Sequence, residues 1–191
     1  MSDSYTVLWT NDRCEWLRKN NEVGRPLRVL FGGPHQSAPR FSRFGVKPGD
    51  YLYPVSVFQG DLYLIARMKV KEFIALRGYL TEHLGLSKAE VGSILFNLEE
   101  KLRNERPELG HLLPYGCVDQ VAIGEEGISI RFDRIVPGTM LESLRFRSQR
   151  GERGLKQIEN GKLKSVISLQ GGVYRLAPDS AKIFDRLILR G

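Results

Sequence analysis

The tightest constraint on how this chain folds is the turn Lys47-Pro48-Gly49-Asp50 and the segment that follows it. Proline fixes φ at the first corner and glycine accepts a positive φ at the second, so the pair specifies a sharp reversal. Tyr51 to Phe58 then reads as a strand rich in β-branched and aromatic residues. Gln59-Gly60-Asp61 turns the chain back, and Leu62 to Val70 returns as the antiparallel partner. Strand alternation predicts that Leu62, Leu64, Ala66, Met68 and Val70 share a core face, with Tyr63, Ile65, Arg67 and Lys69 on the other.

The remaining elements are read around this hairpin. Residues 5–9 (Tyr-Thr-Val-Leu-Trp) and 27–31 (Leu-Arg-Val-Leu-Phe) are strand candidates. Asp12, with Glu15 three residues later, predicts a capped helix from Asp12 to Lys19. Gly32-Gly33-Pro34 ends regular structure, and an irregular loop is expected as far as Arg43. Ile74 to Leu113 turns helical: Ser87 and Glu90 have capping-box spacing, Val91, Ile94, Leu95, Leu98 and Leu102 follow at helical intervals, and Pro107 stops the run. Val118 to Ile123 and Ile128 to Phe132 are expected to form a hairpin about Gly124-Glu125-Glu126-Gly127. Residues 137–164 read as loop-rich and basic. Leu163 to Leu169 and Gly172 to Leu176 read as two closing strands about Gln170-Gly171-Gly172, and Pro178 opens a final helix with Ala181, Ile183, Phe184, Leu187 and Ile188 inward. Short strands at hairpin spacing with few helices predict an α+β fold: a small curled, mostly antiparallel sheet or barrel in one domain spanning 1–191, with 75–113 as a helical insertion.

Composition narrows the function classes. An apolar share of 41% suits a chain that buries a core, and the net charge of +7 favours polyanionic partners. Residues 143–164 hold Arg145, Arg147, Arg150, Arg153, Lys156, Lys162 and Lys164 against Glu152 and Glu159, so most of the surplus lies in one stretch. It reads either as a phosphate-binding surface or as a solvated loop. The start of the chain has neither a basic region nor an apolar run, and no stretch is long enough to span a bilayer, so a cytoplasmic location without membrane association is expected. Cys14 and Cys117 read as two separate thiols. His35, His83 and His111 lack metal-ligand spacing, and no phosphate-binding glycine loop or nucleophile motif is present. Neither a cofactor nor a side-chain catalytic centre is expected.

Three segments together resemble the PUA-like superfamily, most nearly its EVE and ASCH-type domains. They are residues 5–9 ending in Trp9, the run Val46-Lys47-Pro48-Gly49-Asp50-Tyr51-Leu52-Tyr53 with its returning strand, and the tail from Ser168 through Leu176 and the helix from Pro178 to Leu189. The resemblance covers about half the chain. It implies a small barrel that holds a base or a nucleic acid, with EVE-like members linked to modified bases. The ASCH pattern of glycine-x-lysine-x-x-glutamate-x-arginine is absent, since Gly45-Val46-Lys47 is followed by Pro-Gly-Asp, and amidohydrolase activity is therefore not carried over.

The expected function is a nucleic-acid-binding module, DNA or RNA, that reads a flipped or modified base in an aromatic pocket. Trp9 and Tyr53 are the leading stacking candidates, with Phe41, Phe44, Tyr51 and Tyr174 beside them, each also explicable as sheet packing. Asn11 either reads a base edge or serves as a helix cap. Arg40 and Arg43, interleaved with Phe41 and Phe44, either suit phosphate binding or stacking or belong to a solvated loop that tucks the two rings into the core; Arg145 and Arg147 in the basic stretch are the other phosphate candidates. Gln170 lies in the expected closing turn. Two other readings stand beside this one: a protein-interaction domain using the 75–113 helical surface, and a hydrolase of modified nucleosides.

Overall fold

A computed structural model describes residues 2–34, 38–96, 118–170 and 172–190. In chain order the elements are β1 (Ser4–Leu8), α1 (Asn11–Lys19), β2 (Val29–Gly32), a 3-10 turn (Ser42–Phe44), β3 (Tyr51–Phe58), β4 (Asp61–Leu64) and β5 (Arg67–Ala75). A helical turn (Leu76–Gly78) runs into a wider π turn (Tyr79–His83), followed by α2 (Lys88–Phe96) and β6 (Gln120–Ile128). Then come α3 (Gly138–Leu141), β7 (Arg145–Ser148), β8 (Gly151–Gly154), β9 (Ile158–Glu159), β10 (Lys162–Leu163), β11 (Val173–Arg175) and α4 (Pro178–Arg190). The main sheet runs β11-β1-β3-β5-β6-β2, with β4 also on β3. All its pairings are antiparallel except β1 with β3. The fold is α+β, and of the two sheet forms expected it takes the open one, ending at β11 and β2 without closing into a barrel. No described helix is long and apolar enough to cross a membrane.

The Lys47–Asp50 turn forms as its residues dictate. Gly49 takes φ 91°, the Asp50 amide donates to the Lys47 carbonyl at 3.1 Å, and buried Asp50 accepts from the amides of Asp3 (2.9 Å) and Lys47 (3.0 Å). That carboxylate ties the entry of β1 to the entry of β3, which fixes the parallel pair.

The returning strand departs from the alternation read in the sequence. Leu64 lies opposite Val55, whereas Met68 lies opposite Leu52, so the strand carries one residue more than its partner between these points. Such a bulge reverses the facing of everything beyond it. Leu62 and Leu64 therefore join Tyr53 and Val55 in one core, while Ile65, Ala66, Met68 and Val70 join Leu52 in the other. The expected single apolar face is divided between two cores, and β5 continues to Ala75, through the Ile74 expected to be helical.

Other local expectations are corrected for related reasons. Gly124-Glu125-Glu126-Gly127 is not a hairpin tip but the middle of β6, a continuous strand paired with β5 through two register shifts. Its glycines answer close approach, not reversal: a Cβ on Gly127 would sit 2.0 Å from the Leu27 carbonyl oxygen, and one on Gly124 2.3 Å from Met68 Cγ. Helix α1 is capped by Thr10, whose hydroxyl accepts from the Arg13 amide at 3.4 Å, not by Asp12. β2 extends to Gly32, which lies against the Phe41 ring. Of the expected strand from Leu163 to Leu169 only Leu163, the last residue of β10, lies in a strand, and β11 pairs with β1 instead. The stretch 137–164, expected to be loop-rich, holds α3 and two hairpins, β7–β8 and β9–β10.

The capping box at Ser87 forms, with the Ser87 amide donating to Glu90 at 2.8 Å and the Glu90 amide to the Ser87 hydroxyl at 3.3 Å. Leu98, Leu102, Pro107 and Cys117, and with them much of the 75–113 helical surface, lie outside the described residues. One face of the sheet buries Tyr5, Val7, Trp9 and Met68 beneath Cys14 and Leu17 of α1. The other buries Tyr53, Val55 and Leu64 beneath Phe184 and Ile188 of α4, with Ala181, Ile183 and Leu187 packed alongside as their helical spacing predicts. Each such side chain contributes about 1.5–3 kcal/mol of burial. A third cluster, Phe31, Leu80, Val91 and Val121, packs the helical turns on the far strands.

Candidate functional site

The site grows from the way the β7–β8 hairpin is hung on the sheet edge. Phe146 bridges to Leu176, the Ala177 amide donates to the Arg145 carbonyl at 2.9 Å, and the Arg145 amide donates to Ser180 Oγ of α4 at 2.8 Å. Strand alternation buries Phe146 and leaves Arg145 and Arg147 exposed. Across the hairpin Arg147 opposes Glu152 and Phe146 opposes Arg153, and the tip is closed by the Arg150 amide donating to Ser148 Oγ.

Between this hairpin, β11 and the 3-10 turn lies a groove of about 870 Å³. Its cations are Arg43, Arg147, Arg150, Arg153 and Arg175, and its single carboxylate is Glu152. Arg147 Nε lies 3.5 Å from Glu152, and Arg175 is held by Asp3 at 2.6 Å. Arg43 and Arg150 make no ion pair among the described residues. Phe44 and Tyr174 supply the aromatic surface, with the buried Tyr5 behind them. The Tyr174 ring meets Phe146 edge-on at 6.1 Å and Phe44 at 6.4 Å, and the Arg153 guanidinium lies 4.5 Å from its centroid. Phe44 reaches this position because residue 172 is glycine: a Cβ there would come within 2.9 Å of the phenyl ring. The Tyr5 hydroxyl is pushed up to about 12, first by burial and then by the Asp50 and Asp3 carboxylates, so it stays a neutral donor.

Of the residues singled out in the sequence, Arg43, Arg147 and Tyr174 line this groove, and Gln170 adjoins it by accepting the Tyr174 hydroxyl. Arg145 is exposed, but its guanidinium folds back onto the carbonyls of Glu142 (2.6 Å) and Leu144 (2.9 Å). Arg40 is half-buried and donates to the Pro34 carbonyl. The shared aromatic hollow expected around Trp9 and Tyr53 does not exist. Trp9 is 1% exposed and Tyr53 0%, in cores on opposite faces of the sheet. β-Sheet packing takes both rings: the indole lies near the Arg13 guanidinium, and the Tyr53 hydroxyl donates to Asp185 at 2.7 Å. Phe41 is likewise sealed, 5.6 Å from the Phe73 ring.

Asn11 opens α1 on a second, smaller cavity of about 250 Å³ shared with the acidic Asp12 and Glu15 and with Arg18, Ser56, Tyr63 and Phe132, with Cys14 also in its wall. There Ser56 Oγ donates to Asn11 Oδ1 at 3.1 Å, and Arg18 lies 4.2 Å from the Phe132 centroid. Burial raises the Cys14 thiol above its ordinary range.

Sequence reading missed Arg175 and Tyr5 as groove residues. The alternation Val173-Tyr174-Arg175 was a usable signal for which β11 side chains face apart, but only the pairing of β11 with β1 puts Arg175 opposite Tyr5. No group of three or more metal-binding side chains clusters among the described residues. No family model matches the chain, and no curated protein matches it either.

Proposed function

We propose that this chain binds nucleic acid along the groove between the β7–β8 hairpin and β11. The observation that carries the proposal is five arginines against one carboxylate around an aromatic floor. Guanidinium forks match phosphate oxygens, and aromatic rings accept base faces, so this lining suits a strand that offers both. The PUA-like resemblance of the Pro48-Gly49 turn and the tail supports the same ligand class.

Recognition of one flipped or modified base, expected at Trp9 and Tyr53, moves to the cavity under Asn11. Its volume of about 250 Å³ and its Tyr63 and Phe132 rings fit a single base, with the Asn11 amide and the Asp12 and Glu15 carboxylates available to a base edge that offers donors. Fluorescence anisotropy with labelled DNA and RNA oligomers at low salt tests the main proposal: micromolar binding that weakens with salt is expected. Affinity weaker than millimolar for every oligomer would end it. Asn11→Ala is expected to remove base preference while leaving overall affinity in place.

A further inference from the structure

Resting on that reading, we infer that the groove takes a single strand, with one base stacked on the Arg153 guanidinium where Tyr174 backs it. Three observations carry this. The first is size. About 870 Å³ lies within the roughly 300–1,000 Å³ typical of sites that enclose small ligands, which matches a few nucleotides of one strand.

The second is how Arg153 is held. Its Cζ lies over the Tyr174 ring, 4.5 Å from the centroid, and Nη2 donates to the Ser168 carbonyl at 3.3 Å. The guanidinium is thus held by a ring and a carbonyl while Arg153 lines the groove, where an incoming base can meet it. Tyr174 is itself steadied by Phe146 edge-on and by its hydroxyl bond to Gln170. The layer of Phe146, Tyr174 and Arg153 is thus ordered before any ligand arrives, which lowers the entropy lost on stacking.

The third is the division of labour among the arginines. Arg150 at the hairpin tip and Arg43 on the 3-10 turn are exposed and make no ion pair among the described residues, which suits phosphate contacts on either side of the stacked base. Arg153 is only partly exposed and oriented, which suits a base.

The test compares four labelled probes of about ten nucleotides each: oligo-dT, oligo-U, the same DNA strand with abasic sites, and a matching duplex. The expected result is that dT or U binds about tenfold more tightly than the abasic strand and the duplex. Arg153→Lys keeps the charge and removes the plane. It is expected to weaken dT or U about tenfold and to leave the abasic strand unchanged. Tyr174→Leu, which removes the backing ring, is expected to repeat that pattern, with circular dichroism melting as the check on folding.

Equal binding of duplex and single strand, equal binding of abasic strand and dT, or Arg153→Lys matching the parent on dT each overturns the stacking inference while leaving nucleic-acid binding standing. Failure of all four probes to bind overturns both.

Discussion

Removing Arg43 and Arg150 together isolates the charge contribution of the groove. Arg147 is shared with Glu152 and Arg175 with Asp3, and Arg153 is the arginine assigned to a base, which leaves Arg43 and Arg150 as the phosphate contacts outside ion pairs among the described residues. Two phosphate contacts on a single strand correspond to a slope of log K against log salt of about −1.4, from roughly 0.7 counterions per contact. Raising salt from about 50 to about 200 mM then weakens the parent about 7-fold. Arg43→Ala with Arg150→Ala removes both contacts, which brings the slope near zero and leaves almost no loss over the same range. Anisotropy titrations with a labelled single-stranded oligomer at four or more salt concentrations measure both slopes. Lys19→Ala is the control, since Lys19 pairs with Glu15 on α1 and does not line the groove; its slope should equal the parent's. A double variant with the parent slope would refute the argument, because the phosphates would then be meeting charges elsewhere.

Three further outcomes follow from the fold. Gly127→Ala places a methyl 2.0 Å from the Leu27 carbonyl oxygen, so backbone must move; a loss of about 2–3 kcal/mol and a Tm lower by roughly 4–12 °C are expected by thermal melting. Cys14 is 3% exposed and burial raises its thiol above the ordinary range, so alkylation at pH 8, followed by peptide mass spectrometry, should be slow in the native protein and fast in urea. Tyr5 and Tyr53 both have folded values above the ordinary 10, Tyr5 at about 12, so the folded state holds these protons more tightly than the unfolded chain. Their contribution is complete below pH 10 and is lost as pH rises toward 12; denaturant midpoints measured across that window should fall, and Tyr5→Phe should flatten the decline.

What the sequence determined by itself is what neighbouring residues enforce. Pro48 and Gly49 specify their turn through φ alone, Ser87 and Glu90 cap α2 from three residues apart, and the spacing of Ala181, Phe184 and Ile188 gives α4 one apolar face. The basic stretch 143–164 was legible as charge, though its hairpin form was not. What the tertiary structure decided depends on partners distant in sequence. The bulge after Leu64 exists only in relation to β3, so period-two reading assigned Met68 and Val70 to the wrong core. Gly124 and Gly127 look the same in sequence whether they serve a reversal or a close approach, and Met68 and Leu27 settle which. Trp9 and Tyr53 have the composition of a binding pocket, yet adjacent parallel strands turn them to opposite sides of one sheet. The groove is tertiary in the same sense: Arg43, the 147–153 hairpin and Arg175 meet because β11 pairs with β1 and β7 bridges to the residue after β11.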